Sequence, residues 1–357
     1  MLTFPQKINR RDAIKSAAAV AITGAARQVV AAEQSPVAFF LVGDTHYLAN
    51  KESPLELDVR SRAVTARLVE MLNALPGKAI PEAAGGGTVQ SPGGVIHAGD
   101  LIDSGDKNGT VLEKMQRTEW EAFAADFGAE GKLGRLKFPT YEVHGNHDGP
   151  RGTGLVIEGI KERNKLRPAI KELSENGLHY SWDWQPVHFI NLGIVVGESP
   201  EGGQRRRYNP LASLEFLQHD LAKNVGESGR PVVITHHIDL ARYTVACDSA
   251  DPANLNREWN PCDVRSFYEA IEKFNVVAIL YGHTHARNVL RWDGASTKAE
   301  RGFSVFNVDN SSHFHSDPQA LFYFEVHRDK LIARECATKD AWKSFFWTPQ
   351  VWEQQIM

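Results

Sequence analysis

Five short apolar runs each lead directly into residues able to bind a cation or move a proton. Val37 to Val42 leads into Gly43-Asp44-Thr45-His46, Val95 to His97 into Gly99-Asp100-Leu101-Ile102-Asp103, and Thr140 to Val143 into Gly145-Asn146-His147-Asp148. Val232 to Thr235 leads into His236-His237, and Val276 to Tyr281 into Gly282-His283-Thr284-His285. Asp44, His46, Asp100, Asn146, His236, His283 and His285 together offer seven N or O donors, more than one tetrahedral ion accepts. Seven suit two ions that share a bridge, and Asp100 is the natural bridge because a carboxylate has two oxygens. Imidazole, carboxylate and amide donors without thiolate fit Mn, Fe or Zn, and the sequence does not choose among them. Asp44 and His46 are two residues apart, as are His283 and His285, so in extended backbone each pair projects to one side. His237 competes with His236 as donor, since neighbours on a strand point oppositely.

Other polar residues read as structural. Asp148 suits an acceptor that ties its own loop, and His97, His144, His179 and His188 suit ordinary strand-flanking histidines. His313-Phe314-His315 lacks partner residues and reads as a loop or rim feature. Arg205-Arg206-Arg207 reads first as a solvated charge run and second as a phosphate contact. Trp182 and Trp184 precede the run at His188 in what reads as a hairpin, with their indoles packed in the core.

The elements that must position these residues alternate. The apolar runs have the length and flanks of buried strands, whereas Val64, Leu68, Met71, Leu72 and Leu75 share one helical face, as do Leu211, Leu214, Leu217 and Leu221. That alternation specifies an α/β fold, in which ligands gather at the carboxyl ends of strands. Phe303 to Val308, Leu321 to Val326 and Leu331 to Arg334 follow one another without a helix, so the chain closes in antiparallel strands. Segments 76–94 and 242–262, rich in turn residues, read as inserted surface loops. One domain over 33–357 is expected.

The chain has 357 residues, 40 Lys and Arg against 44 Asp and Glu, and a formal net charge of −4. A hydrophobic content of 42% with 24% charged residues excludes a disordered chain, the lack of an apolar stretch of about 18 residues excludes a polytopic membrane protein, and the mildly acidic balance disfavours nucleic acid as a partner. Residues 1–32 run from paired basic residues, Arg10-Arg11, through an uncharged stretch from Ser16 to Ala26, to Val30-Ala31-Ala32. This is the order of an export signal, close to the twin-arginine type although Ala13 stands where an aromatic residue is usual. Its removal leaves a mature chain of net charge −8, with no transmembrane segment, working in the periplasm or outside the cell. Of three cysteines, Cys247 and Cys262 are able to pair within one loop, with Cys336 left as a buried thiol.

Taken in order, D-x-H, G-D-x-x-D, G-N-H-D, H and G-H-x-H, the five blocks resemble the signature of the calcineurin-like metallophosphoesterase superfamily over about Val37 to His285. The resemblance implies a four-layer sandwich of two mixed β-sheets flanked by helices. It implies Asp44, His46 and His285 on one ion, Asn146, His236 and His283 on a second, and Asp100 between them, with His236 favoured over His237. It further implies a hydroxide held between two divalent or trivalent ions that attacks a phosphoryl group, with His147 as proton donor to the leaving group and Asp103 orienting His147. Purple acid phosphatases carry a tyrosine where Asp103 stands, which sets that subgroup aside.

The expected activity is hydrolysis of a phosphoester on a small molecule or lipid, leaning to diesters because a monoester's extra charge asks for more cations than the motifs supply. A phosphomonoesterase is the alternative. So is a non-catalytic, metal-containing binding module of the cell envelope, which the presence of His147 and Asp103 disfavours.

Overall fold

The computed structural model describes residues 35–167, 169–198, 206–243, 247, 257–314 and 318–356. The expected export segment, Arg205, His315 and most of 242–262 lie outside them. The first strand, β1 (Val37–Val42), shows how the layers arise. Phe39 and Leu41 face one way, into a cluster with Trp182, Phe189, Val233 and Leu280. Phe40 and Val42 face the other way, into a cluster with Leu68, Leu72, Phe123 and Ile157. A strand apolar on both faces must be covered on both, and here one cover is a second sheet and the other is helical.

Beside β1 lie the parallel strands β2 (Val95–His97) and β3 (Thr140–Glu142). The remaining strands, in chain order, are β4 (Ile170–Leu173), β5 (Tyr180–Trp184), β6 (Val187–Asn191), β7 (Val232–Thr235), β8 (Val276–Tyr281), β9 (Asn288–Trp292), β10 (Phe303–Asn307), β11 (Gln319–Val326), β12 (Lys330–Thr338) and β13 (Phe346–Gln355). One sheet has the order β13-β12-β11-β1-β2-β3 and the other β4-β5-β6-β7-β8-β10-β9. Both are mixed: β6, β7, β8 and β10 run parallel, while β11, β12 and β13 are antiparallel; β10, expected to join that antiparallel close, lies instead in the other sheet, parallel to β8 and antiparallel to β9. Helices α1 (Val59–Ala74), α2 (Thr110–Asp126) and α3 (Leu155–Leu166) cover the first sheet. Helices α4 (Ser213–Asp220) and α5 (Pro261–Ile271) cover the second, through Leu214, Leu217, Val264 and Phe267. The result is the four-layer sandwich, and the described residues from Pro36 onward form one compact unit. No helix among them is long and apolar enough to cross a membrane.

Two details differ from the sequence reading. Segment 76–94 is no bare surface loop, because its Ile80, Ala84 and Val89 are buried in the cluster beneath α1. Strand β13 has no buried residue, and it contains Pro349, which sits more readily on a sheet edge than inside a sheet. The hairpin of β5 and β6 places Trp182 fully in the core, as expected. Cys247 and Cys262 form a disulfide, and Cys336 is buried and free.

Candidate metal centre

The carboxyl ends of β1, β2, β3, β7 and β8 bring the five blocks together, and the backbone there is not extended. Asp44 (φ 51°), His46 (43°), Asp100 (52°), His283 (76°) and His285 (52°) all adopt left-handed backbone, which non-glycine residues occupy at a cost of about 1–2 kcal/mol each. The donor pairs therefore converge because each turn is kinked. Neighbouring loops hold the kinks in place: the Asp44 amide donates to the Gly99 carbonyl (3.0 Å), the His46 amide to the Asp100 carbonyl (3.1 Å), and the His283 amide to both Asp44 carboxylate oxygens (3.0 Å each). The turns pack so closely that a Cβ on Gly145 would lie 2.2 Å from Asp100 Oδ1, and one on Gly282 2.6 Å from Asp44 Oδ2.

Two donor groups result, and they share one residue. Asp44, His46, Asp100 and His285 place one donor atom each within 4.8 Å of one another, as do Asp100, His237 and His283. Asp100 Oδ2 lies 3.5 Å from His46 Nε2 and 3.3 Å from His237 Nε2. Nε2 of His46 and Nε2 of His285 are 3.1 Å apart, and Asn146 Oδ1 is 3.1 Å from His237 Nε2. So many buried N and O donors facing one another fit cations better than any set of protons.

The structure reverses the expected order of the histidine pair. His237 faces the cluster, with Nδ1 2.7 Å from the Ala98 carbonyl, so donation there leaves Nε2, beside Asp100 and Asn146, as the atom that binds a cation once its proton is displaced. His236 points to the opposite face of β7, against Trp259, Phe267 and Tyr281, and neither of its ring nitrogens has a hydrogen-bond partner. Burial there pushes its pKa down to about 3, so it is a neutral core residue.

His147 flanks the first group, its ring centroid 4.9 Å from that of His46, and its amide donates to Asp100 Oδ1 (2.8 Å). The part expected of Asp103 is divided. Its main-chain carbonyl lies 3.1 Å from His147 Nδ1, whereas its carboxylate lies 3.3 Å from His46 Nδ1 and 2.6 Å from Lys107 Nζ. The carboxylate therefore contacts His46 directly and acts on His147 only through its charge. Asp148 ties its loop by accepting from the amides of Gly145, Leu101 and Ile102 (2.7, 2.9 and 3.1 Å). His97, His179 and His188 lie within hydrogen-bond distance of Thr45, the Leu211 carbonyl, and Asp183 with Asp220 respectively, in line with structural roles. His144 is buried and neutral, its pKa lowered to about 3 by burial.

Two further residues reach the site. His313 packs edge-on to His46 and beside His285, with centroids at 4.7 and 4.6 Å. The loop carrying it follows β10, which pairs in parallel with β8, so the same end of the sheet receives it. The strand-end rule reaches His313 only once that pairing is known. Glu258 lies 3.3 Å from His283 Nε2 and pairs with Arg207 (3.2 Å) and Arg242 (2.7 Å). Arg206 pairs with Asp263 instead, so neither described arginine of the run is a bare solvated charge.

Electrostatics in the metal-free centre are those of mutual frustration. Burial, reinforced by the Asp100 charge, pushes Asp44 up to about 8 although His237 opposes it. Burial also acts to raise Asp100, but the imidazoles of His237 and His46 overcome it and hold the carboxyl well below the usual range. Burial acts to lower His237, and the Asp100 carboxylate overcomes it, raising the imidazole to about 9. His285 is pushed down to about 4 by burial and by His46.

A four-layer sandwich with two donor groups joined through one carboxylate at its strand ends defines the class of metallophosphoesterases. Residues 37–287 match the calcineurin-like phosphoesterase family, and the chain belongs to that family. Purple acid phosphatase 23 of Arabidopsis thaliana is 26% identical over 151 residues, 42% of this chain and 29% of that protein. A metallophosphoesterase 1 homolog of Caenorhabditis elegans is 22% identical over 255 residues, 70% of this chain and 63% of that one. The chain thus spans less than two thirds of the length of either relative. In fold it is similar to a dimetal phosphatase from Danio rerio (TM-score 0.51, 12% identity, 90% of this chain and 99% of that one). A purple acid phosphatase from yellow lupin is similar too (TM-score 0.54, 12% identity, 89% and 53%).

Proposed function

We propose that the chain is a metal-dependent phosphoester hydrolase with a dinuclear centre and a preference for diesters. The observation that carries this reading is the double membership of Asp100, which stands between an Asp44–His46–His285 group and a His237–His283 group with Asn146 beside it. These residues would hold two ions of Mn, Fe or Zn. Such ions, when bound, acidify water and offset charge on phosphoryl oxygens. His147 is the proton donor to the leaving oxygen: burial acts to lower its pKa, but the Asp100 charge and the Asp103 carbonyl outweigh this and raise it, in the direction that favours the protonated ring. Asp103 contributes by fixing His147 through its carbonyl and His46 through its carboxylate.

The lean to diesters rests on charge. Lys107 is paired with Asp103, and Arg207 and Arg242 with Glu258, so these cations are already matched by carboxylates and add little for a monoester's second charge. A phosphorylated small molecule or lipid is the substrate class proposed. Export through residues 1–32 to the periplasm or beyond, with 33–357 as the mature domain, completes the reading; the Cys247–Cys262 disulfide supports it, since such bonds persist in oxidising compartments.

The test is hydrolysis of a chromogenic phosphodiester and its monoester by the chain from Glu33, reconstituted with Mn, Zn or Fe. Faster diester turnover is the expected result. Faster monoester turnover would make the enzyme a phosphatase, and inactivity on both with metal bound would leave a binding module.

A further inference from the structure

We propose that His313 is an additional metal ligand, joining Asp44, His46, Asp100 and His285 as the fifth side-chain donor of that group; this rests on the reading of the site as a metal centre. Ring nitrogens of His46, His285 and His313 lie within 4.8 Å of one another, a separation that one ion could span. The His46 and His285 rings stand at interplanar angles of 87° and 52° to His313, so none of the three stacks flat on another. On its other side the His313 ring stacks on Phe314 (4.6 Å, 22°), which limits its rotation.

The loop that carries His313 is fastened to the loop that carries Asp44. The Ser311 amide donates to the Gly43 carbonyl (2.9 Å), and the Gly43 amide donates back to Ser311 Oγ (3.1 Å). Ser312 Oγ donates to the Thr45 carbonyl (3.2 Å), and the buried Trp342 indole donates to the Ser311 carbonyl (2.6 Å). His313 itself is held at both main-chain groups, its amide by Asn310 Oδ1 (3.2 Å) and its carbonyl by Gln319 Nε2 (3.0 Å). Ser311 and Ser312 are fully buried. A mobile rim has no need of such bracing, whereas a ligand gains from it because a fixed side chain loses less freedom on coordination.

A third imidazole also predicts selectivity. Nitrogen-rich donor sets favour Zn and Co, while oxygen-rich sets suit Mn, so His313 would bias this ion toward the former. Wild type, His313→Ala and His313→Gln, each as the full mature chain stripped by chelation, would be titrated with Co2+ while visible absorption is followed and bound metal is counted by dialysis. Both variants are expected to keep the metal-free melting temperature, to bind one of two Co2+ at least about tenfold more weakly, and to show an altered absorption band that added imidazole restores in His313→Ala. Mn2+ binding should weaken less. An unchanged Co2+ isotherm and band in either folded variant would overturn the proposal, and a raised KM alongside would make His313 a substrate contact. Failure of the metal-centre reading looks different, because wild type itself would then bind no Co2+.

Discussion

His236 and His237 share a peptide bond and occupy opposite worlds: His237 Nε2 lies 3.3 Å from Asp100 Oδ2, whereas His236 is enclosed by Trp259, Phe267 and Tyr281 with no polar partner. Strand β7 imposes this, since consecutive side chains leave opposite faces. His237→Ala should weaken metal binding at least about 10²-fold and abolish turnover at ordinary metal concentrations. His236→Phe should leave metal content and kcat unchanged and hold or raise stability, because it removes buried polar atoms that lack partners. Metal analysis and thermal melts of the two variants check this, and the opposite pattern would return the ligand role to His236.

Metal uptake should release protons. In the metal-free protein Asp44 is raised to about 8, chiefly by burial, and His237 to about 9, where the Asp100 charge outweighs burial, so both carry protons at pH 7 that coordination must displace. Affinity should therefore rise with pH through 7 to 9 and then level off for these two groups. For stability the sign is opposite: each folded pKa exceeds its ordinary value, so the contribution is complete at low pH and fades as pH rises through about 8 and about 9. Calorimetry in buffers of different ionisation enthalpy should find on the order of two protons released per site pair at pH 7 and fewer at pH 10. No release at pH 7 would mean the centre is already deprotonated.

His147 and Asp103 separate in their effects because the structure separates their contacts. His147→Ala should keep its metals and slow esters with poor leaving groups by about 10²-fold or more, with a far smaller loss on activated aryl esters. Asp103→Asn leaves the carbonyl that touches His147 in place but weakens the carboxylate beside His46 and Lys107. It should lower metal affinity by about 10- to 100-fold while keeping the wild-type dependence on leaving group. A leaving-group dependence in Asp103→Asn like that of His147→Ala would show that the carboxylate governs His147 after all.

Much of this architecture was legible in the sequence because it depends on local pattern. The runs at Val95 to His97, Val232 to Thr235 and Val276 to Tyr281 match β2, β7 and β8 residue for residue, since doubly buried strands must be continuously apolar. Edge strands such as β4 and β13 carry no such obligation and left no signal. In the site, the structure brings Asp44, His46, Asp100, Asn146, His283 and His285 together at the strand ends where the sequence pattern places them. The choice between His236 and His237 was not legible, because it depends on which face of β7 meets the other sheet. Glu258 was not singled out and His313 was read as a rim feature for a related reason: their partners arrive from distant segments, through the β8–β10 pairing and the loop closed by Cys247 and Cys262.

Gly145 precedes Asn146, and a Cβ there would lie 2.2 Å from Asp100 Oδ1 and 2.4 Å from the Asp100 amide. The Asp100 main chain cannot yield easily: it already adopts left-handed backbone, and its carbonyl accepts from His46. Gly145→Ala must therefore displace the carboxylate common to both donor groups, at a cost of about 1–3 kcal/mol for the overpacked turn. The expected outcome is a folded protein with a lowered melting temperature and impaired binding of both ions together, since Asp100 serves both. If Gly145→Ala instead lost one ion and kept the other at wild-type affinity, Asp100 would not be the shared ligand.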